Sequence, residues 1–161
     1  EDNERWESHQ VLRELDTKDY RESVGKVSLV NQVSRMFVQY QNDWTEKNFD
    51  AMADYTKPSF HQQQESLFTK EFRDNFDIVY QPKIQCLTPI DTQQSDTDFI
   101  ITVQLIATAT NFEVSSRGRV RSGVPYPRSF TEYWDIAVDS EKTCSLMNIW
   151  YTWVEDSLSG K

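Results

Sequence analysis

Glu132 stands in the run Phe130-Thr131-Glu132-Tyr133-Trp134-Asp135-Ile136. If that run is a strand, Glu132 shares a face with Phe130, Trp134, Ile136 and Val138. A carboxyl on an apolar face has its pKa displaced and can act as an acid or a base beside tyrosine donors. Burying it without a partner is expensive, so the competing placement is at a sheet rim or beside an arginine. Tyr40, Trp44, Tyr55 and Tyr80 carry a ring and a polar tip and could line a cavity with Glu132; the competing placement is in the core or at its rim. These five are the ligand-pocket candidates. His9 falls in a charged stretch, and His61 follows Phe60 in a helical pattern. No nucleophile elbow, cysteine–histidine pairing or zinc-type spacing is present. Asp91, Asp96 and Asp98 lack the glycine and terminal glutamate of a calcium loop. No catalytic residue is therefore nominated, and no cofactor or metal is expected.

A second set could meet a partner. Arg117, Arg119, Arg121 and Arg128 occur between Ser115 and Ser129 with no acidic residue among them. They contribute +4 to a chain of net charge −9, so the remainder carries −13. In a strand, Arg117, Arg119 and Arg121 would share one face and meet an acidic protein or anionic head groups. The alternative is a solvated edge that discourages strand aggregation. Tyr133 and Trp150 complete the partner-surface candidates. The acidic balance argues against nucleic acid.

The elements that must position these residues follow from periodicity. The stretch from Arg128 to Val154 reads as a hairpin turning at Asp139-Ser140-Glu141-Lys142. The expected pairs are Val138 with Thr143, Ile136 with Ser145, Trp134 with Met147, Glu132 with Ile149 and Phe130 with Tyr151. Thr131, Tyr133, Asp135, Leu146, Asn148 and Trp150 then occupy the other face, and a slip of one residue would exchange the two. Upstream, Val30, Val33, Phe37, Tyr40 and Trp44 recur at helical spacing after a Ser28 cap, predicting a helix to about Lys47. A short helix through Ala51, Met52 and Tyr55 follows, then a third with Pro58 in its first turn and Phe60, Leu67, Phe68, Phe72 and Phe76 as its apolar face. Strands are expected over Ile78–Ile90, ended by Pro89 and the polar cluster Asp91–Asp98, and over Phe99–Asn111. A short strand is expected around Val114–Val120.

Helices followed by antiparallel strands mean an α+β domain with helices on one face of a bent sheet. The 161 residues fit one domain; 37% are hydrophobic and 13% aromatic, which argues against disorder. Four glycines leave little for a phosphate loop. Cys86 and Cys144 are either small buried thiols or a bridge between neighbouring strands. Residues 1–24 form a charged helical arm or linker around Trp6, Val11, Leu12 and Leu15; 25–156 form the domain; 157–161 form a disordered tail. Because the chain begins with Glu1, an anchoring segment before it is expected.

The order of elements resembles the cone-shaped fold of the nuclear transport factor two-like superfamily. Within it, Trp44-Thr45-Glu46-Lys47-Asn48-Phe49-Asp50-Ala51-Met52 with Tyr55-Thr56-Lys57-Pro58, and Phe130 to Ile136 with the Trp150 strand, resemble the Tim forty-four-like family. That family is the C-terminal domain of the mitochondrial inner-membrane translocase tether subunit. The resemblance covers about residues 27–154. It implies a non-enzymatic protein-binding or tethering domain of a membrane-associated protein, with protein partners and a homodimer through the sheet as expectations. The superfamily also implies two alternatives: an isomerase- or dehydratase-type pocket, and a structural domain of a secretion or cell-envelope complex.

Overall fold

The structure, a computed structural model, describes residues 29–95, 97–141 and 143–151. The arm, the Ser28 cap, Trp6, His9, Asp96, Trp153 and the tail lie outside the described residues. Helix α1 spans Leu29–Glu46, α2 Phe49–Met52 and α3 Pro58–Glu71. The strands are β1 Asn75–Gln94, β2 Phe99–Ser115, β3 Val120–Gly123, β4 Arg128–Val138 and β5 Cys144–Tyr151. All pairs are antiparallel, in the order β1-β2-β4-β5, with β3 paired to β2 beyond the start of β4. The architecture is α+β, helices packed on a bent antiparallel sheet, and fits the cone-shaped fold expected from the element order.

The apolar stripe of α1 buries Val33, Phe37, Tyr40 and Trp44 against the inner face of the sheet. Phe37 and Tyr40 lie with ring centroids 5.6 and 5.5 Å from that of Trp134. The helix stops because Lys47 turns into the left-handed region (φ 57°), which sends the Asn48 N–H back to the Asp43 carbonyl at 2.8 Å. Asn48 then caps α2 through its side chain. Pro58 opens α3, where its missing N–H costs nothing. Phe68 of α3 meets Trp44 at 4.2 Å and Phe49 at 4.6 Å between centroids, so the three helices share one aromatic cluster. Phe76 is not part of α3: it is the second residue of β1 and is exposed.

Strand β2 follows strict alternation, with Ile101, Val103, Leu105, Ala107 and Ala109 all buried. β1 does not stop at Pro89. It continues to Gln94 as an edge strand, where proline removes no ladder hydrogen bond if its nitrogen faces away from β2. Register shifts between Tyr80 and Lys83, Ile84 and Cys86, and Pro89 and Asp91 absorb the irregularities and bend the sheet. Asp91 therefore lies in a strand, and Asp98 pairs with Lys57 at 3.0 Å. Cys86 and Cys144 are free and buried on the two opposite border strands. Three strand spacings separate those borders, about 14 Å, which rules out a bridge.

The terminal hairpin corrects the expected register. At the turn Val138 faces Cys144, Ala137 faces Ser145 and Ile136 faces Leu146; beyond a bulge Asp135 faces Asn148, Trp134 faces Ile149 and Glu132 faces Tyr151. Met147 is the extra residue. Leu146 is fully buried on the inner face and Met147 is 38% exposed, the reverse of the expected faces. The turn is one residue longer than assumed because Asp139 Oδ1 accepts from both Glu141 N–H and Thr143 N–H, which holds Thr143 outside the ladder.

Candidate functional site

A pocket of about 660 Å³ opens between α1 and the inner face of the sheet, at the end where β3 replaces β4 beside β2. That volume lies within the range of small-ligand sites. Three layers supply its wall. α1 contributes Tyr40, Gln41 and Trp44; β1 and β2 contribute Asp77, Val79, Ala109 and Asn111; β4 and β5 contribute Arg128, Phe130, Glu132 and Tyr151. Helical spacing puts positions 40, 41 and 44 on one face, and strand alternation puts 128, 130 and 132 on another.

The polar groups divide into two kinds. Asp77 is held on both oxygens, Oδ2 by the Trp44 indole N–H at 2.8 Å and Oδ1 by the Asn111 amide at 2.8 Å. The Tyr40 hydroxyl donates to Gln64 Oε1 at 3.2 Å. By contrast, Glu132 accepts only at Oε1, from the Trp134 indole N–H at 2.9 Å, and among the described residues its Oε2 has no hydrogen bond. Gln41 is 5% exposed, and its carboxamide makes no hydrogen bond among the described residues. Gln41 lines the pocket, so its carboxamide is a polar group that an occupant can meet.

Burial pushes the Glu132 carboxyl above the usual carboxylate range, an effect partly offset by the Trp134 hydrogen bond. Burial likewise raises the Tyr151 hydroxyl, with the charges of Glu132 and Asp77 adding to it. Tyr40 is raised as well, first by burial and then by Tyr151, Glu132, Tyr55 and Asp77. Acidic groups from three strands thus act on one point of α1.

Of the five pocket candidates, Tyr40, Trp44 and Glu132 line this pocket. Tyr55 does not: its hydroxyl is spent on Asp43 Oδ2 at 2.7 Å, behind α1. Tyr80 does not either: it pairs with Thr110 on the outer face and is 55% exposed. His61 turns its Nε2 to the Phe49 carbonyl at 2.8 Å, a contact between helices and not part of the pocket.

The arginines do not form one stripe. Arg117 sits in the turn after β2 and Arg119 is the residue before β3, so of the three alternating arginines Arg121 alone lies in a strand. Arg128 stands on the inner face at the pocket mouth, apart from the other three. Tyr133 and Trp150 are cross-strand partners on the outer face. Gln104 donates to the Tyr133 hydroxyl at 2.9 Å, and the Trp150 indole donates to Asp135 Oδ2 at 2.8 Å.

Sequence reasoning missed Gln41, Asp77 and Tyr151 as pocket residues. Gln41 carries a usable signal: it lies four residues after Phe37, so a polar side chain falls inside the apolar stripe. Tyr151 falls on the inner face in the expected register too, but is not nominated there. Asp77 carries no signal, because Phe76 and Ile78 beside it fit a helix end as well as a strand.

No protein-family model matches this sequence, and no curated protein matches it. Among solved structures, the intermembrane-space region of the chloroplast protein ARC6 is similar, with TM-score 0.47 and 6% identity over 74% of this chain and 92% of that one. A likeness of that degree transfers no function.

Proposed function

We infer that this chain is a non-enzymatic binding domain and that the pocket beneath α1 is its capture site. The observation that carries this is an open cavity lined by polar groups, Gln41 and Glu132 Oε2, that make no hydrogen bond among the described residues. Asp77, the other carboxylate, is tied on both oxygens and is placed to shape the wall. On the resemblance of Trp44–Met52 and Phe130–Ile136 to the Tim forty-four-like domain, the proposal extends to a tethering domain that holds a protein partner in a membrane-associated protein.

Filling the cavity tests the capture site. Ala109 lies on its floor, so Ala109→Phe occupies the space with little change elsewhere. Fragments and short peptides that shift Trp44 and Glu132 signals in the wild type should leave the variant unshifted. Equal binding by both proteins, with shifts mapping outside the pocket, overturns the reading. Fractionation of the full-length protein away from membranes counts against the membrane-associated extension.

A second reading is an acid–base pocket, supported by the raised Glu132 carboxyl close to Tyr40 and Tyr151. Turnover of an isomerisable or dehydratable carbonyl compound, lost in Glu132→Gln, would establish it in place of the first.

A further inference from the structure

The geometry points to an ammonium group, the side chain of a partner's lysine, as the occupant of this pocket, with its nitrogen at Glu132 Oε2 and the Gln41 carboxamide oxygen. The inference rests on the capture-site reading above and names the chemistry captured.

Four observations lead to it. Glu132 Oε2 and the Gln41 carboxamide, like the Tyr151 hydroxyl, are acceptor-bearing groups of the pocket with no hydrogen bond among the described residues. An ammonium carries three donors and no acceptor, so it suits a pocket wall of such acceptors. Rings surround them: Tyr40 and Trp44 on α1, Phe130 on β4, Tyr151 on β5. Aromatic rings beside a carboxylate attract organic cations. The field has the right sign, since Glu132 and Asp77 both act on Tyr40 and Tyr151. Finally, the cavity is open on one side, so a side chain projecting from another protein can enter.

Arg128 is the one cation of the lining, and its place fits the assignment. It stands four residues before Glu132 on the same face of β4, with Phe130 between. At about 3.3 Å per residue that is about 13 Å along the strand, so Arg128 sits at the mouth and Glu132 at depth. Arg128 then disfavours a cation at the entrance without neutralising the acid inside.

Binding is coupled to a proton. The groups facing Glu132 are Tyr40 from α1, Asp77 from β1, Tyr151 from β5 and Arg128 from β4. The carboxyl of the empty pocket holds its proton to a higher pH than an exposed carboxyl does. An ammonium favours the carboxylate, so its arrival expels that proton and its affinity rises with pH until Glu132 is ionised without it.

The test uses three probes of one shape, n-butylammonium, butyrate and 1-butanol, with an acetylated Gly-Lys-Gly amide as the lysine arm, each followed by NMR at several pH values. We expect n-butylammonium and the peptide to shift Trp44 and Glu132 signals, with affinity rising about tenfold per pH unit below the Glu132 transition. Glu132→Gln should flatten that pH dependence and weaken binding. Arg128→Ala should tighten binding of the cation; an anion site centred on Arg128 would respond in the opposite sense. Preference for butyrate or butanol in the same pocket overturns the ammonium assignment and leaves the capture site standing. Binding of the amine without the peptide overturns the lysine source. No shift with any probe, and none blocked by Ala109→Phe, overturns both readings.

Discussion

The indole nitrogen of Trp134 donates to Glu132 Oε1 across 2.9 Å, from two residues further along the same face of β4. A fully buried ring of the core and the carboxyl that burial displaces upward are therefore one unit. Trp134 lies under Phe37 and Tyr40 with no solvent access. We expect Trp134→Ala to cost about 3–5 kcal/mol in urea unfolding. Trp134→Phe should cost less and still move the Glu132 titration upward, because it removes the one interaction that holds that carboxyl down. An NMR titration in which Glu132 does not move would break the link between the two residues.

Glu132 should make stability depend on pH in a definite sense. Its folded-state pKa is raised by burial, so between the ordinary carboxyl value and the raised one the native state holds more protons than the unfolded chain. Stability then falls as pH rises through that window and levels off above it. Glu132→Gln keeps an acceptor for Trp134 and removes the titration. The variant should match or exceed wild type above the window and lose the slope within it. Urea unfolding at pH 4, 6 and 8 checks this; parallel profiles for the two proteins would refute it.

Asp43 is 2% exposed and receives the Tyr55 hydroxyl at 2.7 Å and the Gln39 amide at 3.0 and 3.1 Å. Removing one donor leaves a buried carboxylate partly unmet. Tyr55→Phe should therefore destabilise the domain by about 1–3 kcal/mol. It should leave ligand shifts at Trp44 and Glu132 in place, since Tyr55 stands outside the pocket. A loss of those shifts in a folded variant would return Tyr55 to the binding site.

The bulge in β5 separates two neighbours by face. Leu146 packs in the core and Met147 meets solvent. We expect Leu146→Ala to cost about 2–5 kcal/mol and Met147→Ala to stay within about 0.5 kcal/mol of wild type. Reversed costs in thermal or chemical unfolding would restore the register read from the sequence.

Legibility followed how local each determinant is. The α1 stripe, the Asn48 break, Pro58 at the head of α3 and the alternation of β2 are set by neighbours within one or two turns, and all stand in the structure where periodicity puts them. The Met147 bulge escaped because alternation cannot register one extra residue when Leu and Met are equally apolar. Tyr80 went to the wrong face because its side depends on irregularities at Gln81 and Pro82 that turn patterns do not fix. Of the pocket lining, Tyr40, Trp44 and Glu132 were legible as candidates. Gln41 and Tyr151 carry a local signal, but their meeting with Asp77 becomes visible only when distant segments are brought to one point.

The borders of the sheet carry a further consequence. Midway along β5, Leu146 gives its carbonyl to Lys57 N–H at 2.9 Å and takes the Tyr55 carbonyl on its N–H at 2.7 Å. On the far border, Thr45 of α1 accepts the Val79 N–H at 2.9 Å, and further along β1 Pro89 has no N–H to offer. At these points the β1 and β5 edges are occupied, which opposes a foreign strand zipping along them there. Along those stretches the sheet is closed to sideways extension, whereas the hollow under α1 and the Tyr133–Trp150 side stay open.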